Sequence, residues 1–229
     1  MINQEGTAGA TLRAVRINGP LRIDGVIEER FYLNTLPITE FIQSLPEENG
    51  EPSQLTEVWI AFDDTNVYVS AKVWDSAGPD GWTANEMRRD NQQLRDNDNF
   101  GVFIDTFYDR RNAIGIYANA LGGFADFQIT NEGSSINKDW NPIQETRTAL
   151  FDGGWSIEIA IPFKSLRYRP GREQTWGIQL RRSILRRNEW IYIRALPFSV
   201  VGTGPVGGAR VSMYGTLVGI EAPPPSRRL

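Results

Sequence analysis

Residues 55–75 read LTEVWIAFDDTNVYVSAKVWD, two stretches of alternating residues on either side of Asp63-Asp64-Thr65-Asn66. Successive side chains on a strand point to opposite faces. Val58, Ile60 and Phe62 therefore share one face of the first stretch, and Val67, Val69, Ala71 and Val73 share one face of the second. The polar tetrapeptide between them supplies a turn, so the whole reads as a β-hairpin. Trp59 and Trp74 fall out of phase with these apolar faces.

The same period of two recurs downstream, in NFGVFIDT at 99–106 and NAIGIYANA at 112–120, joined by the polar FYDRR, and again from Phe124 to Thr130 after Gly122-Gly123. From Gly154 to Ile161, the residues Trp155, Ile157, Ile159 and Ile161 share a face, and Pro162 ends the run. Thr175–Leu185 and Glu189–Leu196 form a second hairpin around Arg186-Arg187-Asn188, and Ser212–Ile220 can close the sheet. Roughly ten strands with short turns and little helical periodicity predict an all-β fold, an antiparallel, jelly-roll-like β-sandwich with a few short helices in loops. Helix is expected at Pro37–Leu45 and at Thr83–Arg89, the latter with Thr83 as N-cap and Glu86 completing a capping box. The long polar loops are 46–54, 76–98 and 131–147, the usual places for ligand contacts on a sandwich. The glycine-rich stretch 197–210 reads as mobile, and EAPPPSRRL reads as an extended linker. The expected organisation is one domain over 12–220, with an extension at 1–11 and a tail at 221–229.

Composition removes several function classes. The 229 residues are 40% hydrophobic and 11% aromatic, enough for a sizeable core, and carry a formal charge of −4. That balance gives no broad attraction to phosphate backbones or anionic membranes, so nucleic acid is not an expected partner. With no histidine, the chain cannot build a Ser-His-Asp triad, a His-ligated haem or a His-bearing zinc site; with no cysteine, it has no disulfide or thiol nucleophile. The opening MINQEGTAGA lacks the basic start and apolar core of a signal peptide, and no apolar run approaches the roughly 18 residues of a membrane span, so no direct membrane insertion is expected. Only Lys72, Lys138 and Lys164 are lysines; the other cations are arginines, which suit fixed, bidentate hydrogen bonds.

Seven tryptophans are many for one domain, and flat aromatic faces suit the CH-rich faces of pyranose rings. Trp155 and Trp176 lie in phase with aliphatic neighbours and read as core, and Trp190 reads as structural. Trp59 and Trp74 read as contacts to a second sheet in preference to a ligand platform. Trp82 and Trp140, in the polar loops PDGWTAN and NKDWNP, are the leading ligand-binding candidates. Arg181 projects from the face opposite Trp176, Ile178 and Leu180, where it can donate a forked hydrogen bond; Asn119 is a further candidate for fixing hydroxyls. Asp90, Asp96 and Asp98, with the amides of Asn97 or Asn99, offer oxygen ligands for a structural calcium ion, against the alternative of a solvated loop with Asx turns and arginine pairs. The EF-hand spacing is absent. Asp105, Asp126, Glu145 and Glu158 include potential carboxylate pairs for glycoside hydrolysis, although a structural explanation is favoured. The arginine doublets, 181–182 and 186–187 among them, read as solvated ion pairs.

Five stretches taken together, IDGVIEERFY at 23–32, VYVSAKVWD, RRDNQQLRDNDNFGVFIDTFYDRRNAIGIYANALGGFADF, GGWSIEIAIPFKSLRY and QTWGIQLRRSILRRNE, resemble the family-9-like carbohydrate-binding domain found at the N-terminus of bacterial outer-membrane-associated proteins. The resemblance implies a β-sandwich that binds a poly- or oligosaccharide without catalysis and uses aromatic side chains and structural calcium. It also implies an extracellular, cell-surface or periplasmic setting, with a membrane β-barrel following in the full-length protein. Where the family often carries a second tryptophan, this chain has Gln144. Two alternatives stay open: an accessory or interaction domain of an outer-membrane barrel protein, and a glycoside hydrolase.

Overall fold

The computed structural model describes residues 10–201 and 205–224. From the N-terminal side come β1 (Thr11–Arg13), β2 (Val15–Arg16), the short helix α1 (Arg30–Asn34) and β3 (Ile42–Leu45). The hairpin strands β4 (Thr56–Phe62) and β5 (Asn66–Trp74) follow, then β6 (Asn99–Asp105), β7 (Ala113–Asn119), β8 (Phe124–Thr130) and β9 (Ser135–Asn137). The remainder is β10 (Glu145–Phe151), β11 (Gly154–Pro162), β12 (Glu173–Ile184), β13 (Glu189–Tyr192), the one-turn helix α2 (Phe198–Val201) and β14 (Gly215–Glu221). Among the described residues no helix is long and apolar enough to cross a membrane.

The strands form two sheets. Five, in the order β10-β11-β5-β4-β2, make one; the other follows β1-β14-β12-β6-β7-β8-β9, with β13 also on β12 and β3 on β13. All pairings are antiparallel except β1 with β14 and β2 with β4. Asp63 makes the β4–β5 turn: its Oδ1 accepts the backbone N–H groups of Thr65 and Asn66 at 2.6 and 2.7 Å, an Asx arrangement that replaces ladder bonds the turn cannot form. The faces assigned from the sequence then meet. Val58, Ile60, Val69 and Ile159 of one sheet pack against Phe100, Val102, Trp176 and Ile178 of the other in the main core. The fold is the all-β sandwich expected.

Each sheet carries a further layer on its outer face. Residues 17–36 cover part of the five-stranded sheet, with Ile27 and Tyr32 packed on Trp59, and Leu21 and Phe31 on Ala61 and Tyr68. Ala209, Val211 and Tyr214 cover the larger sheet over Phe103, Tyr117 and Phe127. Glu158 pins the first layer in place. Its side chain is fully buried and accepts hydrogen bonds from the backbone N–H of Asp24 and Gly25, at 3.0 and 2.9 Å, and from the Tyr32 hydroxyl at 2.7 Å.

Burial raises the Glu158 carboxyl above its ordinary value of 4.5, outweighing the hydrogen bonds from Tyr32 and the backbone that favour ionisation. A carboxyl whose folded pKa lies above its unfolded one contributes stability below the unfolded value and loses it as the pH rises through the folded value. In Glu158→Gln, the amide oxygen can accept the two backbone N–H groups and the amide nitrogen can face the Tyr32 hydroxyl. The stability of wild type relative to Glu158→Gln is therefore expected to fall as the pH rises above about 4.5. Urea midpoints from pH 4 to 8 for both proteins check this; parallel curves would contradict it.

Three expectations change. Residues 37–45 are not helical: Ile42–Leu45 is strand β3, because β13 presents a free edge to which Ile42 and Gln43 pair, and β-branched Ile38, Thr39 and Ile42 favour extended backbone. Thr83–Arg89 is irregular. Its N–H groups are taken by side chains instead of by a helix, Thr83 N by Asp98 Oδ2 at 2.7 Å and Asn85 N by Asn97 Oδ1 at 3.0 Å, and the Glu86 carboxylate bonds Arg88. The loop 131–147 contains β9 and the start of β10. Of the stretch expected to be mobile, 202–204 lie outside the described residues, as do 1–9 of the N-terminal extension and 225–229 of the tail.

Candidate functional site

A cleft of about 920 Å³ opens at one end of strands β6, β7 and β8. Ile104, Ile114 and Gln128, on neighbouring strands β6, β7 and β8, line it with Asp109 and Asn112 of the β6–β7 connection, the loop Trp140–Ile143 and the turn Lys164–Arg167 that follows β11. Its walls are tied together. Ser165 Oγ donates to Ile143 O at 2.8 Å, and Thr106 Oγ1 donates to Arg167 O. Gln144, next to the loop, bonds both Asp126 Oδ2 at 3.4 Å and Thr146 Oγ1 at 2.6 Å.

Asp109 has a separate task. Its Oδ1 accepts from Arg111 N and Asn112 N, both at 2.8 Å, and its Oδ2 from Asn112 Nδ2 at 2.7 Å. Burial acts to raise its carboxyl, but these hydrogen bonds and the Arg111 charge prevail and hold it below the ordinary value of 3.8. It is an ionised organiser of the rim. Trp140 is half-buried and is the tryptophan of the cleft, with Phe107 and Ile143 exposed beside it. An accessible indole next to convergent amides and cations is the equipment of a site that stacks on one face of a polar ring and hydrogen-bonds its edge. A second depression, about 580 Å³ between residues 39 and 56, has Phe41 as its aromatic, and that residue is 5% exposed.

The remaining candidates are dispersed. Trp74 is half-buried on the outer face of the five-stranded sheet, edge-on to Phe151 at 4.8 Å, with its Nε1 donating to Glu57 Oε2 at 2.7 Å. Trp82 packs against the main core, its Nε1 buried without a hydrogen-bond partner among the described residues. Arg181 and Asn119, expected to face a ligand, are interior, and so is Trp59, read as a second-sheet contact or a ligand platform. The outer layer of residues 17–36 covers Trp59, whose Nε1 donates to Thr35 O at 2.8 Å. Arg181 is 2% exposed, inside a box of Phe103, Tyr117 and Trp190 with ring distances of 5.1–5.4 Å, and donates to Asn99 Oδ1 at 2.7 Å. Asn119 holds the β7–β8 turn, accepting from Leu121 N and Gly123 N and donating to Glu86 O and Asn97 Oδ1.

The proposed calcium ligands do not converge. Asp90 accepts from Asp126 N and pairs with Arg89, Asp96 is exposed, and Asp98 accepts from Thr83 N and Leu185 N. Among the described residues no three acidic side chains gather around a common point. Of the carboxylates considered for hydrolysis, Asp105 caps the β6–β7 turn through the N–H groups of Phe107, Asp109 and Arg110, Asp126 is held by Arg89, Glu158 pins the outer layer, and Glu145 pairs with Arg147. None of the four lines the cleft.

Sequence reading missed Asn112, Gln128, Lys164 and Arg167. Gln128 had no separate signal, since it shares a face of β8 with Asp126 and Thr130. Lys164 and Arg167 follow the strand-ending Pro162 and gave none.

Residues 23–184 match the family described as carbohydrate family 9 binding domain-like. No curated protein sequence matches the chain significantly. Among solved structures, it is similar to a carbohydrate binding module family 9 from Caldicellulosiruptor kristjanssonii in complex with glucose, at 16% identity and TM-score 0.60, covering 96% of this chain and 98% of the other. A family 9 module from the same organism in complex with cellotriose matches at 18% identity and TM-score 0.58, covering 95% of each. At such identities the likeness is one of fold.

Proposed function

The chain belongs to the carbohydrate family 9 binding domain-like family, and from that premise we propose that it is a non-catalytic carbohydrate-binding module that holds a poly- or oligosaccharide in the Trp140 cleft. The observation that carries this reading is the joining, in one open cleft, of the half-buried Trp140 with the polar residues Asn112, Gln128, Lys164 and Arg167. The glucose and cellotriose complexes of family 9 modules with this fold support the ligand class. Binding is favoured over hydrolysis because glycosidases need an acid and a second carboxylate flanking the scissile bond. Among the described residues Asp109 is the one carboxylate-bearing residue lining this cleft, and three hydrogen bonds already occupy it.

Native affinity electrophoresis across a panel of soluble neutral and acidic polysaccharides is the test. Retardation by at least one glycan, without release of sugar, is expected. Migration unchanged in every gel would refute the proposal.

A further inference from the structure

The charges of the cleft are unbalanced. Among the described residues, three charged ones line it: Lys164, Arg167 and Asp109. The acidic one is spent on its own turn, accepting from Arg111 N, Asn112 N and Asn112 Nδ2. The two cationic ones have no ion pair or side-chain hydrogen bond to any described residue. They are also placed with some rigidity, because Thr106 Oγ1 bonds the Arg167 carbonyl, Leu166 N bonds Phe163 O at 3.0 Å, and Ser165 Oγ ties the turn to the opposite wall at Ile143.

Elsewhere the protein pairs the arginines that sit in recesses. Arg89 bonds Asp126, Arg186 bonds Asp75, and Arg110 bonds the Tyr214 carbonyl and the Tyr108 hydroxyl. Exposed cations outside the cleft, Lys138 and Arg169 among them, are likewise without an ion pair to any described residue; Lys164 and Arg167 differ in lining a cleft together with Trp140. A neutral sugar offers these two cations only hydroxyl oxygens, whereas an anionic group accepts charge-assisted hydrogen bonds, bidentate ones from a guanidinium.

We infer that the ligand of this cleft is an anionic saccharide, its pyranose ring on Trp140 and its carboxylate or sulfate on Lys164 and Arg167. This rests on the carbohydrate-binding reading and narrows it.

Isothermal titration at low and moderate salt, with an oligogalacturonate, its carboxyl-reduced counterpart and a sulfated galactan oligosaccharide, tests the inference. At least one anionic ligand is expected to bind about tenfold or more tighter than the reduced one, as one charge-assisted contact supplies. That advantage should shrink as salt is added. The uronate and sulfate arms tell which anion is preferred. Lys164→Gln/Arg167→Gln should abolish the advantage while leaving any binding of the reduced ligand in place. Arg169→Gln, which removes an exposed arginine outside the cleft, should preserve it. Equal or tighter binding of the reduced oligosaccharide overturns the anionic assignment and leaves carbohydrate binding standing, as does an equal loss in Arg169→Gln. Failure of all three ligands together with the whole neutral panel overturns both.

Discussion

Asp75→Ala is expected to destabilise the fold by about 3–5 kcal/mol, the range found when one partner of a buried ion pair is removed. Asp75 and Arg182 are 3% and 2% exposed. Arg182 spans the open side of the sandwich, donating to Leu55 O and Thr56 Oγ1 at 3.0 Å, to Trp74 O at 2.6 Å and to Asp75 Oδ2 at 3.3 Å, while Arg186 closes on the same carboxylate at 2.7 Å. Burial draws the guanidinium of Arg182 down to about 10, with the Asp75 charge opposing the fall. Without Asp75, a desolvated cation keeps its carbonyl acceptors and loses its counter-charge. Urea denaturation measures the loss. The double variant Asp75→Ala/Arg182→Met should recover part of it, since the buried Arg182 cation left without its partner is then removed as well. A single-variant cost under about 1 kcal/mol would show that solvent reaches this pair.

Trp140→Ala is expected to weaken glycan binding by about 2–4 kcal/mol, thirtyfold or more, with the fold intact. The size of the effect follows from the anatomy of recognition sites, where one large aromatic in contact with the ligand dominates and the surrounding polar groups give orientation. The fold should survive because Trp140 sits in a rim loop whose anchors are other groups, Ser165 on Ile143 and Gln144 on Asp126. Titration calorimetry with the glycan that wild type retains best gives the affinity, and an unchanged urea midpoint shows that folding is not the cause. Undiminished binding would remove Trp140 from the site.

Much of the architecture could be read from alternation alone. The core strands β4 to β7 and β11 to β14 each have an apolar face against the opposite sheet, and β8 has one under the outer layer, so their period of two survives in the sequence. Short edge strands carry less of that signal. Ile42–Leu45 is extended because β13 is there to pair with it, a fact written in residues far downstream, and in ETRTALF only Thr146 is buried, so β10 reads as a loop. The same limit explains the interior placement of Arg181 and Trp59. Periodicity says that these side chains face away from the core, and it is silent about the segments that fold over that face, residues 17–36 on one sheet and the stretch around Ala209–Tyr214 on the other. Trp140 stands out in the sequence as a tryptophan in a polar loop, and it does line the cleft. Lys164 and Arg167 look like any exposed cations until the loop 140–143 is brought opposite them.

The central claim is that saccharide enters the cleft at Trp140. The indole N–H resonances of the seven tryptophans, followed by NMR during titration with a retained oligosaccharide, test it most directly. The account predicts that the Trp140 signal shifts in proportion to occupancy while those of buried Trp155 and Trp176 stay in place. Binding that moves the Trp74 signal and leaves that of Trp140 unmoved would contradict it.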